Sequence, residues 1–498
     1  MDLTLTIDDS LPLHRQVREG LKGAILAGRL APGQKLPSTR SLARTLSVSR
    51  TTVCQAYDAM EAEGYLSGKR GSGTYVSDEL PEGVPMEGAL VPTDGSGRSA
   101  PRALSSRFRA RPRSSEFRLE GRPAGRRGLR YDFHPGQGAW DLFPREAWRR
   151  LVARPWRSAW LEVMDYGDPA GFGPLREEVA GYLARSRAVV CAPDQVVVVN
   201  GTQQALDLLA RILLDPGDSV AVEDPGYPSA REVFASYGAR LVPIPVGPDG
   251  MEMEPLRESR AKVALVAPSH QFPTGTTMTL PRRLSLLRWA RRSGALVVED
   301  DYDSEFRFGG RPLASLQGLD AGASVVYLGS FSKVLFPSLR VGYAVLPRDL
   351  VAPFVAAKEL TDRQTPILEQ RVLADFMREG LFDRHVRRMR EVYRARRAAL
   401  VAALDEYLSG SVEVMGSSAG MHMMVRLRAS EVEEEVVERA ARAGVGVYPA
   451  GPCFATASPF PALVLGYAGM DEKDLRGGVA RLAGALRLPE EARKSPGR

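Results

Sequence analysis

The chain has 498 residues, enough for two or three domains, and its 44% hydrophobic and 26% charged residues are typical of well-packed globular proteins. No apolar run approaches the roughly 18 residues that cross a bilayer, and the N-terminus lacks a basic-then-apolar signal layout, so we expect neither a membrane span nor a signal peptide. The 3 cysteines are well separated and give no disulfide framework or metal spacing, which favours a reducing, cytoplasmic setting. A formal net charge of +7 permits a nucleic-acid partner without establishing one.

The first 78 residues predict three helices followed by a hairpin. Apolar residues at helical spacing predict a helix over 11–27, Ser38 is suited to cap a second short helix, and a third helix is predicted over 49–63. Residues 64–76 predict two strands joined by a glycine-rich basic turn. This order is typical of a winged helix-turn-helix, whose recognition helix presents its N-terminal residues to DNA bases.

Four segments closely resemble the GntR-type DNA-binding domain: LPSTRSLA (36–43), SRTTV (49–53), AYDAMEAEGY (56–65) and GSGTYV (71–76). The resemblance implies operator DNA as a partner. Arginine bonds a guanine through two N–H groups, and Ser and Thr hydroxyls reach phosphates or bases. The expected DNA contacts are five polar side chains and one wing glycine: Arg40, Ser49, Arg50, Thr51, Thr52 and Gly73.

Residues 79–130 are rich in Pro, Gly, Ser and Arg and show little apolar periodicity, which predicts a long, mobile linker. Its arginines either touch DNA phosphates without sequence preference or simply keep the linker in solution. They include Arg107, Arg109, Arg111, Arg113, Arg126 and Arg127.

Residues 131–490 alternate strand-like and helical stretches, which predicts an α/β domain with a mainly parallel sheet. Four of the predicted strands end in polar groups. The strand over 195–199 leads through a Gly-Thr turn into a helix, a geometry that binds anions, and the strand over 262–267 leads into a Pro-Ser-His loop. The strand over 295–299 ends in an acidic run, and the strand over 324–328 leads to Lys333.

Pyridoxal 5′-phosphate needs an amine for its aldehyde, a carboxylate for its pyridinium nitrogen, a donor for its phenolate oxygen and N–H groups for its phosphate. A lone lysine or an acidic loop usually just faces water. The coincidence of all four groups at strand ends of one domain instead favours a cofactor site. Lys333 would then lie in a dry pocket, where burial lowers the pKa of an amine and lets it condense with an aldehyde.

Three further segments are SHQFPTGTTM (269–278), EDDYDSEFR (299–307) and GSFSKVLFPSLRVGY (329–343). With them, residues 131–490 resemble a fold-type I aminotransferase domain, and the whole chain resembles the MocR family of transcriptional regulators. The implied architecture is multidomain: a winged helix-turn-helix over 1–78, the linker over 79–130, and an α/β aminotransferase-like domain over 131–490 with a smaller C-terminal α+β subdomain.

The resemblance implies a role for each cavity residue. Lys333 would form the Schiff base with pyridoxal phosphate, Asp300 would bind the pyridinium nitrogen, and Tyr302 would donate to the phenolate oxygen. Tyr227 would stack on the ring, and Tyr166 would reach the phosphate of a neighbouring subunit in a domain-swapped homodimer. The phosphate itself would be held by Thr202, Gln203, Ser330 and Arg340.

Two positions depart from the aminotransferase pattern. Phe272 stands where aminotransferases carry an asparagine, and Val464 stands where they carry the arginine that binds a substrate carboxylate. Another arginine, such as Arg426, is a candidate replacement, but no spacing argument supports it. The sequence therefore favours a regulator that senses pyridoxal phosphate, or an amino compound, through a Schiff base at Lys333. The alternatives are a working aminotransferase with an attached DNA-binding module, or a large domain that no longer binds the cofactor.

Overall fold

The computed structural model describes residues 11–69, 72–80, 129–309, 313–320, 324–416, 419–428 and 430–486. The chain divides into two compact units, residues 1–103 and 104–498. The predicted linker over 79–130 lies almost wholly outside the described residues, and so do the arginines named in it. The linker therefore stays a prediction.

The first unit contains three helices and one hairpin: α1 (Leu13–Leu26), α2 (Thr39–Thr45), α3 (Arg50–Ala62), β1 (Leu66–Lys69) and β2 (Gly73–Val76). The two strands pair antiparallel. α2 and α3 each begin at a serine cap. The Ser38 hydroxyl accepts the Ser41 backbone N–H at 3.2 Å, and the Ser49 hydroxyl accepts the Thr52 backbone N–H at 3.0 Å. The order of helices and strands is the one predicted from the sequence.

The core of the first unit lies between α1, α3 and the hairpin. α3 buries one helical face made of Val53, Ala56, Tyr57 and Met60. The Tyr57 hydroxyl donates to the Pro37 carbonyl at 2.9 Å, which ties α3 to the start of α2. The opposite face of α3 is left to solvent.

The second unit contains fourteen described strands. They are β3 (Tyr131–Asp132), β4 (Val196–Val199), β5 (Ser219–Asp224), β6 (Arg240–Gly247), β7 (Gly250–Met251), β8 (Val263–Val266), β9 (Leu296–Asp301), β10 (Val325–Ser330), β11 (Gly342–Val345), β12 (Val412–Met415), β13 (His422–Leu427), β14 (Val445–Gly446), β15 (Tyr448–Pro449) and β16 (Ala462–Gly466).

The helices of this unit alternate with the strands through most of its length. They are α4 (Arg145–Ser158), α5 (Trp160–Met164), α6 (Gly173–Arg187), α7 (Thr202–Leu213), α8 (Pro228–Ser236), α9 (Met253–Glu258), α10 (Leu280–Ser293), α11 (Leu316–Asp320), α12 (Arg348–Asp362), α13 (Ile367–Arg378), α14 (Leu381–Leu408), α15 (Glu433–Arg442) and α16 (Glu472–Leu486). Short 3₁₀ turns cover Trp140–Leu142, Pro193–Gln195, Pro337–Leu339 and Gly451–Cys453.

The large sheet has the strand order β4-β11-β10-β9-β8-β5-β6-β7. β11 runs against its neighbours β10 and β4, β7 runs against β6, and the other pairs are parallel. Successive residues of β4 enter different apolar clusters: Val196 and Val198 join one, and Val197 and Val199 join another. The sheet is therefore buried on both faces, which explains the continuous apolar runs of its strands.

A smaller sheet follows toward the C-terminus, with the antiparallel order β12-β13-β16-β15. α16 packs against α14 and α15 beside it, which makes the smaller α+β subdomain expected from the sequence. No helix in the described part of the chain is long and apolar enough to span a membrane.

Candidate functional site

The first unit presents the N-terminal end of α3 to solvent. Arg50 and Thr51, in its first turn, are exposed, and so is Arg40 on α2. The Ser49 hydroxyl is engaged as the helix cap and lies 2.7 Å from the Thr52 hydroxyl. Of the predicted DNA contacts on α3, the arginine and the first threonine are thus the side chains turned outward.

The wing adds a cation that the sequence patterns did not single out. Gly73 is exposed with φ +120°, and a Cβ there would lie 2.9 Å from Cε of Lys35. The Lys35 ammonium lies 5.7 Å from the centre of the Tyr75 ring. Lys35 precedes α2 by several residues, and only the fold brings it beside the hairpin.

The second unit encloses a cavity of about 780 Å³ at the carboxyl ends of its parallel strands. The register explains why these ends meet, because Leu328 of β10 lies opposite Asp300 of β9, and Val266 of β8 lies opposite Glu299. Eight predicted cofactor residues line this one cavity: Thr202, Gln203, Tyr227, Asp300, Tyr302, Ser330, Lys333 and Arg340.

One end of the cavity is formed by the turn between β4 and α7. Gly201 has φ +87°, and α7 begins directly after it, so backbone N–H groups at the start of the helix face the cavity. Arg340 donates from Nη2 to the Asn200 carbonyl at 2.6 Å. A Cβ on Gly201 would lie 2.9 Å from that same nitrogen, so only glycine fits between the turn and the guanidinium.

A buried network behind the turn fixes its position. The Asp362 carboxylate accepts the side-chain amides of Asn200 and Gln204, both at 2.6 Å, and the Lys358 ammonium at 2.9 Å. Gln204 also accepts the Asn200 backbone N–H at 2.7 Å. Lys358 and Asp362 were not predicted to matter, because Asp362 lies 162 residues along the chain from Asn200, in the turn that it holds.

Lys333 lies in the loop after β10, where Ser330 accepts the Ser332 backbone N–H at 3.1 Å. Its amine packs against the loop that precedes α4. A Cβ on Gly136 would lie 2.6 Å from Nζ of Lys333. Gly136 has φ +81°, so both its backbone and its lack of a side chain suit it to this contact.

The acidic end of β9 divides its carboxylates between two faces. Glu299 accepts the backbone N–H groups of Leu316 and Gln317, each at 3.0 Å, and Asp301 forms a buried ion pair with Arg187 at 2.7 Å. Side chains alternate along a strand, so Asp300 points to the opposite face, into the cavity.

Tyr302 is held by a buried histidine–aspartate pair. Nδ1 of His270 lies 3.0 Å from the Asp303 carboxylate and 3.1 Å from the Tyr302 hydroxyl. A carboxylate only accepts hydrogen bonds, so Nδ1 carries the proton, and the tyrosine hydroxyl keeps its own hydrogen to donate elsewhere. Burial, together with Asp303 and Asp300, raises the pKa of Tyr302 well above its usual value.

His422, the first residue of β13, lies beside this pair, with its ring centre 4.8 Å from that of His270. Burial, then His270 and the Lys333 charge, lower the pKa of His422 well below its usual value, so its imidazole is neutral. His270 lies in the segment SHQFPTGTTM, but residue spacing could not show that it pairs with Asp303 or that His422 packs beside it.

The remaining predicted residues lie at two different places. Tyr227 lines the cavity, and its ring centre is 6.0 Å from that of Phe272, nearly perpendicular to it. Tyr166 lies outside the described cavity wall and is 81% exposed. Its predicted role needs a second subunit, and the geometry of one chain does not test that role.

The two departures from the aminotransferase pattern meet in space. Val464 is fully buried on β16, opposite Met424 of β13, in an apolar cluster against which Phe272 packs. Arg426 does not reach the cavity: it lies 3.6 Å from the Glu413 carboxylate and 4.6 Å from the Phe460 ring centre.

A winged helix-turn-helix and a doubly covered sheet with a strand-end cavity define a DNA-binding regulator built on an aminotransferase fold. Residues 13–76 match the model of the bacterial regulatory proteins of the gntR family, and residues 137–482 match that of aminotransferase class I and II. The first domain implies DNA binding, and the second is a fold whose members depend on pyridoxal phosphate.

Two similar transcriptional regulators match this chain along nearly its whole length, and so across both domains. The chain is 40% identical to the probable rhizopine catabolism regulatory protein MocR of Rhizobium meliloti, over 99% of this chain and 98% of that one. It is 34% identical to the HTH-type transcriptional regulator TauR of Rhodobacter capsulatus, over 95% and 96% of the two chains. The protein belongs to the MocR family of GntR-type transcriptional regulators.

Among solved structures, the second unit is similar to LysN, an α-aminoadipate aminotransferase from Thermus thermophilus solved with N-(5′-phosphopyridoxyl)-L-leucine. The two share 35% sequence identity with a TM-score of 0.68, covering 74% of this chain and 95% of that chain.

Proposed function

We propose that this transcriptional regulator binds pyridoxal phosphate in the cavity of its large unit and that occupancy of the cavity controls DNA binding. One observation carries the proposal. Eight residues, to which the family resemblance assigns cofactor roles and which span positions 202–340, line a single cavity of about 780 Å³.

The turn after β4 fits the phosphate group. Backbone N–H groups at the start of α7 and the guanidinium of Arg340 converge there, and such a combination binds phosphate well. Thr202, Gln203 and Ser330 add polar side chains to the lining of the same cavity. A side chain at position 201 would occupy the space beside Arg340, because its Cβ would lie 2.9 Å from Nη2 of that arginine.

The other groups fit the ring. Pyridoxal phosphate, when bound, supplies an aldehyde that bonds to a neutral amine. Lys333 would present that amine, and its Nζ packs closely against Gly136. Asp300 would accept the N–H of the ring nitrogen, and Tyr302, kept as a donor by His270, would donate to the phenolate oxygen.

The protein would act as a homodimer. Large apolar side chains are exposed along one continuous stretch, including Trp156, Trp160, Leu161, Met164 and Tyr166. Such a patch usually marks a protein–protein interface. A second copy covering it would place Tyr166 against the partner, as the role that the resemblance implies for this tyrosine at the neighbouring phosphate site requires.

Control of DNA binding requires only that the ligand bind one conformational state of the dimer better than another. The effector would be pyridoxal phosphate itself or an amino compound that displaces Lys333 from it. The similarity to LysN supports a second candidate function, which is that of a working aminotransferase with a DNA-binding module attached.

Reconstitution with pyridoxal phosphate tests the proposal. We expect the purified protein to gain a visible absorption band that survives gel filtration. Lys333→Ala should abolish the band, whereas Lys473→Ala, which alters an exposed lysine of α16, should leave it unchanged. A band that persists in the Lys333 variant would show that another amine is used.

The enzymatic alternative needs a separate measurement. The reconstituted protein is mixed with a panel of amino acids and oxo acids, and product formation is followed over many turnovers. We expect none beyond one equivalent per subunit. Sustained conversion would show that the large unit is a catalyst.

A further inference from the structure

We infer that the amine accepted by the cavity bears no carboxylate on its amine-bearing carbon, so that it is a simple primary amine or an amino alcohol and not an α-amino acid. The inference rests on the proposed function and names the ligand class of the same site. It comes from the charges that line the cavity and from the apolar wall beside Lys333.

The described lining contains three cationic side chains: Arg231, Lys333 and Arg340. Arg340 lies at the turn before α7, where the phosphate is expected, and Lys333 is the reacting amine. Of the two described lining histidines, His422 adds no charge, because burial holds it neutral, and the His134 ring packs edge-on against Tyr448 with 4.9 Å between the ring centres. Among the described residues of one subunit, Arg231 is the remaining cation that could meet a second anionic group on the ligand.

Arg231 is already committed to the protein. Its Nη2 donates to the Pro452 carbonyl at 2.8 Å and to the Phe454 carbonyl at 3.3 Å, and its Nη1 donates to the Cys453 carbonyl. The guanidinium thus fastens α8 to the turn before β16. Turning it toward a ligand would leave three carbonyls without this donor.

The wall beside Lys333 is formed by His422 and Phe272, whose ring centres are 5.0 Å apart. Lys333 lines the same cavity as both rings. Phe272 packs in turn on the apolar cluster around Val464. Substituents on the carbon that bears the amine would therefore meet a neutral imidazole and a phenyl ring.

A carboxylate placed there would lose its water without gaining a counter-ion, which is strongly unfavourable. A hydroxyl has no such requirement. Gln137 and Trp140 line the same cavity and offer neutral hydrogen-bonding groups. The lining thus suits uncharged polar substituents.

The exchange itself needs no further reactant. When the cofactor is bound, the carbon–nitrogen double bond to Nζ of Lys333 would be replaced by one to the incoming neutral amine, and the two hydrogens that the incoming nitrogen gives up would pass to the released Lys333 amine. No electron is gained or lost, so an amine without a carboxylate suffices as effector.

The test uses the reconstituted full-length protein and the matched pair L-alaninol and L-alanine, which differ only in hydroxymethyl against carboxylate. Each is titrated while the cofactor spectrum and the affinity for an operator fragment are recorded. We expect L-alaninol to perturb the spectrum at concentrations at least about tenfold lower than L-alanine. Equal responses, or a stronger response to L-alanine, would overturn the inference.

A double variant tests the wall directly. Phe272→Asn with Val464→Arg should shift the preference toward L-alanine, and Arg426→Gln, outside the cavity, should leave the preference unchanged. If the double variant does not fold, the matched pair on the natural protein still decides. Tight L-alanine binding that Arg231→Gln removes would identify Arg231 as the carboxylate ligand and refute the inference.

The two proposals fail differently. Absence of the visible band after reconstitution refutes the cofactor proposal. A normal band with no preference for L-alaninol refutes only the ligand class.

Discussion

The two units of this chain carry their functional residues in opposite ways. In the winged helix-turn-helix, Arg40, Arg50 and Thr51 project from a small core into solvent. In the large unit, the cavity residues lie at strand ends and are supported by buried polar networks such as Asp301–Arg187. Substitutions on the first surface should change binding alone, whereas substitutions behind the cavity should change stability as well.

The largest effect is expected behind the cavity. Asp301→Ala would leave Arg187 buried without its carboxylate, which typically costs about 3–5 kcal/mol of the free energy of unfolding. Thermal or urea unfolding measures the loss. Arg348→Ala, which breaks an exposed pair with Asp194, should cost at most about 1 kcal/mol. Equal losses of stability in the two variants would contradict the expected difference between a buried and an exposed ion pair.

A buried acid should make the large unit sensitive to pH. Glu223 accepts from the Ala267 N–H at 3.2 Å and from the side-chain amide of Gln271 at 3.3 Å, and burial raises its pKa from 4.5 to about 8. The folded state therefore holds a proton that the unfolded state has released, and stability falls as the pH rises from 4.5 toward 8.

Glu223→Gln should remove the contribution of Glu223 to this dependence, because the amide stays neutral throughout. Glu299 and Glu305, whose pKa values burial raises to about 7, keep their own contributions. We expect the variant to unfold at a higher temperature than the natural protein at pH 8 and at a similar temperature near pH 4.5. Scanning calorimetry at several pH values measures the difference. A parallel pH dependence in both proteins would contradict the raised pKa.

On the exposed side, Arg50→Ala should weaken operator binding by about 1–3 kcal/mol if the guanidinium contacts a base. The unfolding temperature should not change, because Arg50 is exposed. Arg29→Ala changes an exposed arginine after α1, away from the recognition helix in sequence, and serves as the matched control. A lower unfolding temperature in the Arg50 variant would show that a DNA-contacting residue of the first unit also stabilises its fold.

The smallest effect concerns the core of the first unit. Tyr57→Phe removes one hydrogen bond to the Pro37 carbonyl and should cost about 1 kcal/mol of stability. Urea unfolding of the full chain, followed at the transition of this unit, measures it. Tyr75→Phe, at the half-buried wing, provides the comparison and should cost less.

Local patterns were enough to predict several main elements and the polar strand ends, whereas the individual lining residues were assigned from the family resemblance. The apolar runs of β4, β8, β9 and β10 and the helix order of the first unit follow from periodicity and caps. The polar groups at strand ends converge because parallel strands end at one edge. This geometry is a general property of such sheets and needs no contact information.

The supporting contacts could not be predicted in the same way. The partners Arg187 and Asp301 are 114 residues apart, and His270 and Asp303 are 33 apart, so no spacing rule joins them. Phe272 and Val464 were each noted as departures, but only the fold shows that they share one apolar cluster. Residues that act through other residues depend on tertiary packing, which local sequence does not encode.

The central claim is that the state of the cavity controls the DNA-binding surface. The most direct test measures the affinity of the full-length protein for the intergenic DNA upstream of its own gene, with and without saturating pyridoxal phosphate. We predict that the cofactor changes this affinity in the natural protein and in Lys473→Ala, and leaves it unchanged in Lys333→Ala. The same affinity with and without the cofactor, in a protein that shows the visible band, would contradict the account.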